Sequence, residues 1–270
     1  MTVTAIRSCN GLDIDIVTAR AKAIAFDLDG TLARSKKPIS QDMADCLTAL
    51  THRLPLAVIT GGQFSLVHSQ ILDMLDDRAC KANMHLMPTS GTRYYHWDGD
   101  TWACVYEHNL SAAERDEAIS SLQRHAKEQG IWESHVWGER IEDRGSQITF
   151  SALGQSAPLE AKEAWDPTNE KKNRLAQAVS ADVPDLAVRS GGSTSVDISL
   201  RGVDKAYAVR HFADALGIQV SQVVYVGDRM DPDGNDYPAV KAGTMAIRVS
   251  GPEETLLVCD ELIRRLPVTA

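Results

Sequence analysis

The chain carries no excess of positive charge. Its 28 lysines and arginines stand against 37 aspartates and glutamates, a formal charge of -9 over 270 residues. Nucleic acids and anionic membranes reward a basic face, so neither is expected as a partner, and an anionic substrate would need a local basic pocket or a metal. Cysteine is scarce: Cys9, Cys46, Cys80, Cys104 and Cys259 are scattered, odd in number and without a C-x-x-C pair. That pattern argues against a disulfide or zinc framework and for a reducing compartment, the cytoplasm. No apolar stretch approaches membrane-spanning length, and Met1 to Ala19 holds Asp13 and Asp15 with no continuous apolar core, unlike a secretory signal. The glycine pairs Gly61-Gly62 and Gly191-Gly192 lack the G-x-G-x-x-G spacing of a dinucleotide site. Internal repeats and low-complexity linkers are also missing. At 43% hydrophobic and 24% charged, the sequence is otherwise ordinary for a globular protein with one large or two modest cores.

What is present is an α/β pattern. Ala23 to Phe26 is a short apolar run of the kind that fills a parallel sheet, Ser40 to His52 places Met43, Leu47 and Leu50 at helical spacing, and Leu56 to Ile59 is a second strand. Phe64 to Leu75 resumes a helical period, and Gln222 to Gly227 is another strand. Between these halves the texture changes. Tyr94 to Val105 reads as a hairpin around Asp98-Gly99, Ser111 to Gln129 as a helix, Ser146–Leu153 and Ser195–Leu200 as half-buried strands, with a polar helix around Pro167 to Ser180. The expectation is a doubly wound α/β core built from residues 1–91 and 202–270, with an inserted α+β domain over 92–201 and hinges near Thr92 and Gly202.

The first strand ends in Asp27-Leu-Asp29-Gly30-Thr31. Ligands of open α/β sheets gather beyond the carboxyl ends of the strands, which puts Asp27 at a site, and Gly30 lets the chain turn out of the strand. Two carboxylates one residue apart suit phosphoryl transfer, one attacking phosphorus and the other handling protons. The same edge receives Thr60 after the second strand and Asp228 after Gly227, while Lys205 opens a helix. Singly, each is a strand-end cap, a turn residue or a surface lysine. Their order along the chain is what distinguishes them.

That order, Asp27-x-Asp29-Gly-Thr31, Thr60, Lys205, then Gly227-Asp228 with Gly234-Asn235-Asp236, resembles the haloacid dehalogenase superfamily in its branch with a large inserted cap. Within it the chain is most similar to phosphomannomutases of the eukaryotic type, through Glu142-Asp-Arg144-Gly, Ser151-Ala-Leu-Gly154, Gly191-Gly-Ser-Thr-Ser195-Val-Asp197 and Gly227-Asp228 followed by Asn235-Asp236. The resemblance implies a Rossmann-like core, an aspartyl-phosphate on Asp27, and Asp29 as acid and base. It also implies Mg2+ held by Asp27, the Asp29 main-chain carbonyl and Asp228, with Thr60 and Lys205 on the transferring phosphoryl group. Asn235 and Asp236 are expected to orient Asp228 and the metal's waters.

A hexose-phosphate mutase must grip a second phosphate, for which arginine is favoured. Here the chain departs from the resemblance. It keeps Arg144, has Lys36 and Lys162, and places Gln155 where an arginine is expected, while Ser195 and Asp197 match the sugar and phosphate contacts. The strand end Val58-Ile-Thr60-Gly is similar to the phosphatases of the superfamily. The expected activity is therefore hydrolysis of a sugar phosphate, with phosphomannomutase the close alternative and a non-catalytic sugar-phosphate binder a third. The aromatics Tyr94, Tyr95, Trp97, Trp102, Trp132 and Trp137 are assigned to the inserted domain, as its core or as the surface of a homodimer.

Overall fold

The computed structural model describes residue 11, residues 13–232 and residues 234–268; Cys9 and Asp233 lie outside them. The chain forms two compact units, Met1–Glu107 with Val203–Ala270, and His108–Gly202. The first unit starts with α1 (Ile14–Arg20), β1 (Ala23–Phe26), α2 (Gln41–Thr51), β2 (Leu56–Ile59), α3 (Phe64–Gln70), β3 (Met84–Met87), β4 (Arg93–Trp97) and β5 (Trp102–Glu107). The second holds α4 (Ala112–Glu128), β6 (Ile141–Asp143), β7 (Gln147–Ser151), α5 (Leu159–Trp165), α6 (Glu170–Asp182), β8 (Leu186–Ser190) and β9 (Ser195–Leu200). The chain then returns through α7 (Lys205–Ala215), β10 (Val223–Gly227), α8 (Tyr237–Lys241), β11 (Met245–Arg248) and α9 (Pro252–Arg265).

The first unit is one seven-stranded sheet in the order β11-β10-β1-β2-β3-β4-β5, parallel from β11 to β3 and antiparallel at β4 and β5. Strand β1 lies between β10 and β2 and is buried throughout. Its alternation sorts side chains by size: Ile24 and Phe26 enter one core with residues of α2 and α9, whereas Ala23 and Ala25 enter the other with Ala208, Val209 and Phe212 of α7. Small residues on that face let α7 pack close to the sheet, and its first residue is Lys205. Helix α2 begins where Ser40 caps it, the hydroxyl accepting the Met43 N–H at 3.2 Å.

The boundary expected at 91/92 lies instead at 107/108. The β4–β5 hairpin pairs with β3, so residues 92–107 extend the first unit's sheet, and Tyr94, Tyr95, Trp97 and Trp102 belong there rather than to the inserted domain. Thr92 is no hinge. It is fully buried, with its N–H donated to the Thr89 carbonyl at 3.2 Å. The helix expected over Phe64 to Leu75 stops at Gln70 and continues as a 3₁₀ turn over Leu72–Met74. Gln70 turns its amide into the site described below.

The second unit is a four-stranded antiparallel sheet, β6-β7-β9-β8, with its own apolar core. Ile148, Phe150, Val196 and Ile198 pack there with Leu122 and Ala126 of α4 and Leu175 and Val179 of α6. Helix α4 carries a capping box in which Ser111 and Glu114 satisfy each other's N–H groups. The four cysteines among the described residues are free thiols. No helix there is long and apolar enough to cross a membrane.

One buried histidine sets a pH dependence for the fold. His85 on β3 is 5% exposed, its Nδ1 lies 2.7 Å from the Tyr94 hydroxyl, and its ring is 4.7 Å from that of His96. Burial, helped by His96, pushes its pKa down to about 3. Above the unfolded-state value near 6.5 both states are neutral and no proton is exchanged; below it the unfolded chain takes up a proton that the folded chain refuses. His85 is thus expected to cost about 2 kcal/mol of stability between pH 6.5 and pH 5. Urea unfolding across that range checks this: His85→Gln should show the smaller loss, and equal losses in both proteins would sink the assignment.

Candidate active site

Three ends of elements bring charge together beneath the carboxyl edge of the sheet. Asp27 follows β1, Asp236 precedes α8, and Lys205 opens α7, a helix start fixed by Asp204, whose carboxylate accepts the Ala206 and Tyr207 N–H groups at 2.9 and 3.1 Å. The Lys205 ammonium donates to Asp27 Oδ1 at 2.5 Å and to Asp236 Oδ1 at 2.7 Å. Exposures of 1% for Lys205, 2% for Asp27 and 0% for Asp236 make this a core-buried charge cluster, so its geometry is fixed by pairing rather than by solvent.

Asp236 is the better satisfied carboxylate. Oδ1 also accepts the Tyr225 hydroxyl at 2.5 Å, and Oδ2 accepts the Arg229 N–H at 2.9 Å. Burial opposes its ionisation, but Lys205 and these donors outweigh it and hold the carboxyl below its ordinary range. Asp27 has only its share of one lysine, and burial, reinforced by Asp236 and Asp228, pushes it up to about 8 in the metal-free protein. Burial alone would lower the Lys205 pKa, yet Asp236 and Asp27 raise it, so the ammonium stays charged.

The neighbouring Asp228, just past β10, has the opposite character. Its Oδ1 is buried with no hydrogen-bond partner, and burial and Asp236 raise its pKa. Oxygens of Asp27, Asp228 and Asp236 all lie within 4.8 Å of one another. An orphaned carboxylate oxygen beside two further carboxylates suits a hard divalent cation with oxygen ligands. Asp236 already spends its oxygens on three donors, Lys205, Tyr225 and the Arg229 N–H, so Asp27 and Asp228 are the pair with valence to offer. Gly30, at φ +85°, makes room: a Cβ there would fall 2.6 Å from Asp228 Oδ2.

Asp29 points elsewhere. Its Oδ1 accepts the Lys36 N–H at 2.7 Å and the Gln70 amide at 3.3 Å, and Gln70 also donates to the Lys37 carbonyl at 2.9 Å. Lys36 was expected to bind substrate with its side chain; here its main chain, left-handed at φ 57°, orients Asp29. Thr60 is buried one residue beyond β2, its Oγ1 accepting the Gly62 N–H at 3.1 Å. Asn235, expected to orient Asp228, is exposed and makes no hydrogen bond to it among the described residues. Asp236, given the same task, anchors Lys205 while standing in the same carboxylate cluster as Asp228. Two members escaped the sequence reading: Tyr225, a lone hydroxyl in an aliphatic strand, and Gln70, a polar residue that is 2% exposed at a helix end.

The remaining candidates sit in the second unit. Arg144, in the β6–β7 turn, donates to Glu142 Oε2 at 2.6 Å. Lys162 on α5 donates to the Gln155 carbonyl at 3.1 Å. On β9, Asp197 Oδ1 accepts the Thr149 hydroxyl at 2.7 Å and the Gln147 amide at 3.0 Å, and burial raises its pKa against those bonds. Ser195 pairs with Ser151 at the end of the same sheet. Gly191 packs against this carboxylate, and a Cβ there would stand 2.6 Å from Asp197 Oδ2.

A Rossmann-like sheet with an aspartate after its central strand, a buried lysine bridging that aspartate to a second, and a pair of carboxylates suited to a cation mark the chain as an α/β enzyme with its site at the carboxyl edge of the sheet. A model of the haloacid dehalogenase-like hydrolases matches residues 24–250, and the chain belongs to that family. It is similar to a probable phosphomannomutase of Caenorhabditis elegans, 23% identical over 250 residues that cover 90% of this chain and 96% of the relative. The phosphomannomutase of Spinacia oleracea is 25% identical over 88% of this chain and 94% of its own length. Among solved structures, the Plasmodium falciparum IMP-nucleotidase aligns with a TM-score of 0.68 at 14% identity, covering 91% of this chain and 71% of the other. The Aspergillus fumigatus trehalose-6-phosphate phosphatase gives 0.57 at 14% identity, covering 93% and 96%. These structural likenesses speak to the fold.

Proposed function

We propose that the protein is a Mg2+-dependent cytoplasmic phosphatase acting on a sugar monophosphate through an aspartyl-phosphate on Asp27. The observation that carries this reading is the Lys205 ammonium 2.5 Å from Asp27 Oδ1 and held there by Asp236. A binding module has no use for a nucleophilic carboxylate kept in line by a buried lysine. In the first step Asp27 attacks phosphorus while Asp29 gives a proton to the departing sugar oxygen; in the second Asp29 takes a proton from the water that cleaves the acyl phosphate. Lys205 and the Thr60 hydroxyl supply fixed positive character for the transferring phosphoryl oxygens. Bound through Asp27, Asp228 and the Asp29 carbonyl, Mg2+ would neutralise charge on that group.

In the second unit, Arg144, Gln155, Lys162, Ser195 and Asp197 are read as recognising the sugar. A glutamine at 155 and an arginine paired to Glu142 favour a neutral polyol over a second phosphate, hence hydrolysis. Likeness over about nine-tenths of the chain to proteins named phosphomannomutase favours the alternative, interconversion of mannose 1-phosphate and mannose 6-phosphate. The net charge of -9 supports small molecules rather than nucleic acid or membrane as partners, and a homodimer through the second unit belongs to the same proposal. The test mixes protein, Mg2+ and mannose 1-phosphate, with and without glucose 1,6-bisphosphate, and follows free phosphate and mannose 6-phosphate. Free phosphate alone is the expected result. Mannose 6-phosphate that needs the bisphosphate would make the protein a mutase, and neither product would defeat both readings.

A further inference from the structure

Thr89, Ser90 and Gly91, which follow β3, have φ of 48°, 58° and 87°. Two consecutive side-chained residues in the left-handed region, one of them β-branched, strain the chain, and such strain collects at functional positions. The turn is held from several sides. Thr89 N–H donates to the Gly62 carbonyl at 2.8 Å, Ser90 N–H to the Thr60 carbonyl at 2.7 Å, and the Gly91 carbonyl accepts the Tyr106 hydroxyl at 3.0 Å. Gly91 is pressed on α7, where a Cβ would meet Ala208 Cβ at 2.5 Å. All this framing fixes Ser90, yet the Ser90 hydroxyl makes no hydrogen bond among the described residues. It is half-buried and faces Gly61, lying 3.9 Å from the place where a Cβ on that glycine would be.

Strands β1, β2 and β3 are adjacent and parallel, so Asp27, Thr60 and Ser90 stand in a row along one sheet edge. At the usual strand spacing Ser90 is roughly 10 Å from Asp27, beyond a phosphoryl group on the aspartate but within reach of the organic group it is esterified to. We infer that Ser90 is a specificity-determining residue whose hydroxyl bonds a hydroxyl of the substrate's organic group, the strained turn being kept to aim it. The inference rests on the phosphatase reading above.

The test measures kcat and KM for mannose 1-phosphate and for p-nitrophenyl phosphate, an ester whose leaving group carries no free hydroxyl. Ser90→Ala should raise KM for the sugar phosphate roughly three- to tenfold, the loss of one hydrogen bond, and leave the aryl ester's constants unchanged. Ser90→Gly should show the same split while melting a few degrees above Ser90→Ala, because glycine accepts the left-handed backbone. If the wild type cleaves both esters and neither variant alters the ratio of their KM values, Ser90 has no part in recognition. A wild type that cleaves only the aryl ester, or neither ester, overturns the sugar-phosphate reading itself and this inference with it.

Discussion

Asp27→Asn is expected to abolish turnover, by about 10⁴-fold or more, without loosening the fold. An amide oxygen cannot displace an alkoxide from phosphorus, so no covalent intermediate forms and the remaining groups hold a substrate that does not react. The fold is spared because Asp27 is the poorly compensated carboxylate of the cluster. It shares one ammonium with Asp236, and burial pushes its carboxyl up to about 8, so a neutral isostere sits where charge was already costly. The melting temperature of the metal-free variant should equal or exceed that of the wild type. A second readout separates a lost nucleophile from a lost site: Mg2+ should raise the wild type's melting temperature by mass action and raise the variant's less. Retained turnover, or a steep loss of stability, would remove Asp27 from the role given to it.

The sheet could be read from the sequence because its strands are short, apolar and buried on both faces. In β1 the alternation of alanine with Ile24 and Phe26 already separates a close-packed face from a deep one. The hairpin was misassigned for a physical reason. Its strands are partly wet, β4 being half-buried apart from Tyr94 and β5 half-buried to exposed along its length, and an edge hairpin of a large sheet carries the same signature as a strand pair of a small domain. Only the pairing of His85 with His96 and Leu86 with Tyr95, a tertiary fact, decides between them.

The site was legible where residues are proposed to take part in the chemistry and illegible where they hold others in place. Asp27, Asp29, Thr60, Lys205 and Asp228 announce themselves by falling at strand and helix ends. Tyr225 does not, since a tyrosine inside Val223–Gly227 satisfies strand patterning as well as valine would, and its role exists only through Asp236. Gln70 is hidden likewise: a glutamine on a short helix reads as solvated, and nothing local says that it is buried against Asp29. Asn235 erred the other way. Adjacent to Asp236 in sequence, it is exposed where the chain enters α8, and of the two neighbours it is Asp236 that pairs with Lys205.

Lys205→Met is expected to cost the fold about 3–5 kcal/mol in the metal-free protein, besides most of the activity, because it strips two buried carboxylates of the cation that pairs with both. Methionine keeps the length and the apolar stem, so cavity formation adds little and the loss reads as charge. The two carboxylates are not equal creditors of that ammonium. Asp236 has the Tyr225 hydroxyl and Arg229 N–H as further donors, but its ionisation depends on Lys205 as the main opposing force to burial. Without the lysine, Asp236 becomes a buried charge with neutral donors only. Adding Asp236→Asn to Lys205→Met should therefore recover roughly 1–3 kcal/mol, since removing both members of a buried pair costs less than removing one. Urea unfolding of the two single variants and the double variant checks this. Strict additivity, with the double variant weaker than either single, would mean that the cluster is held by packing and that its charges are incidental to the fold.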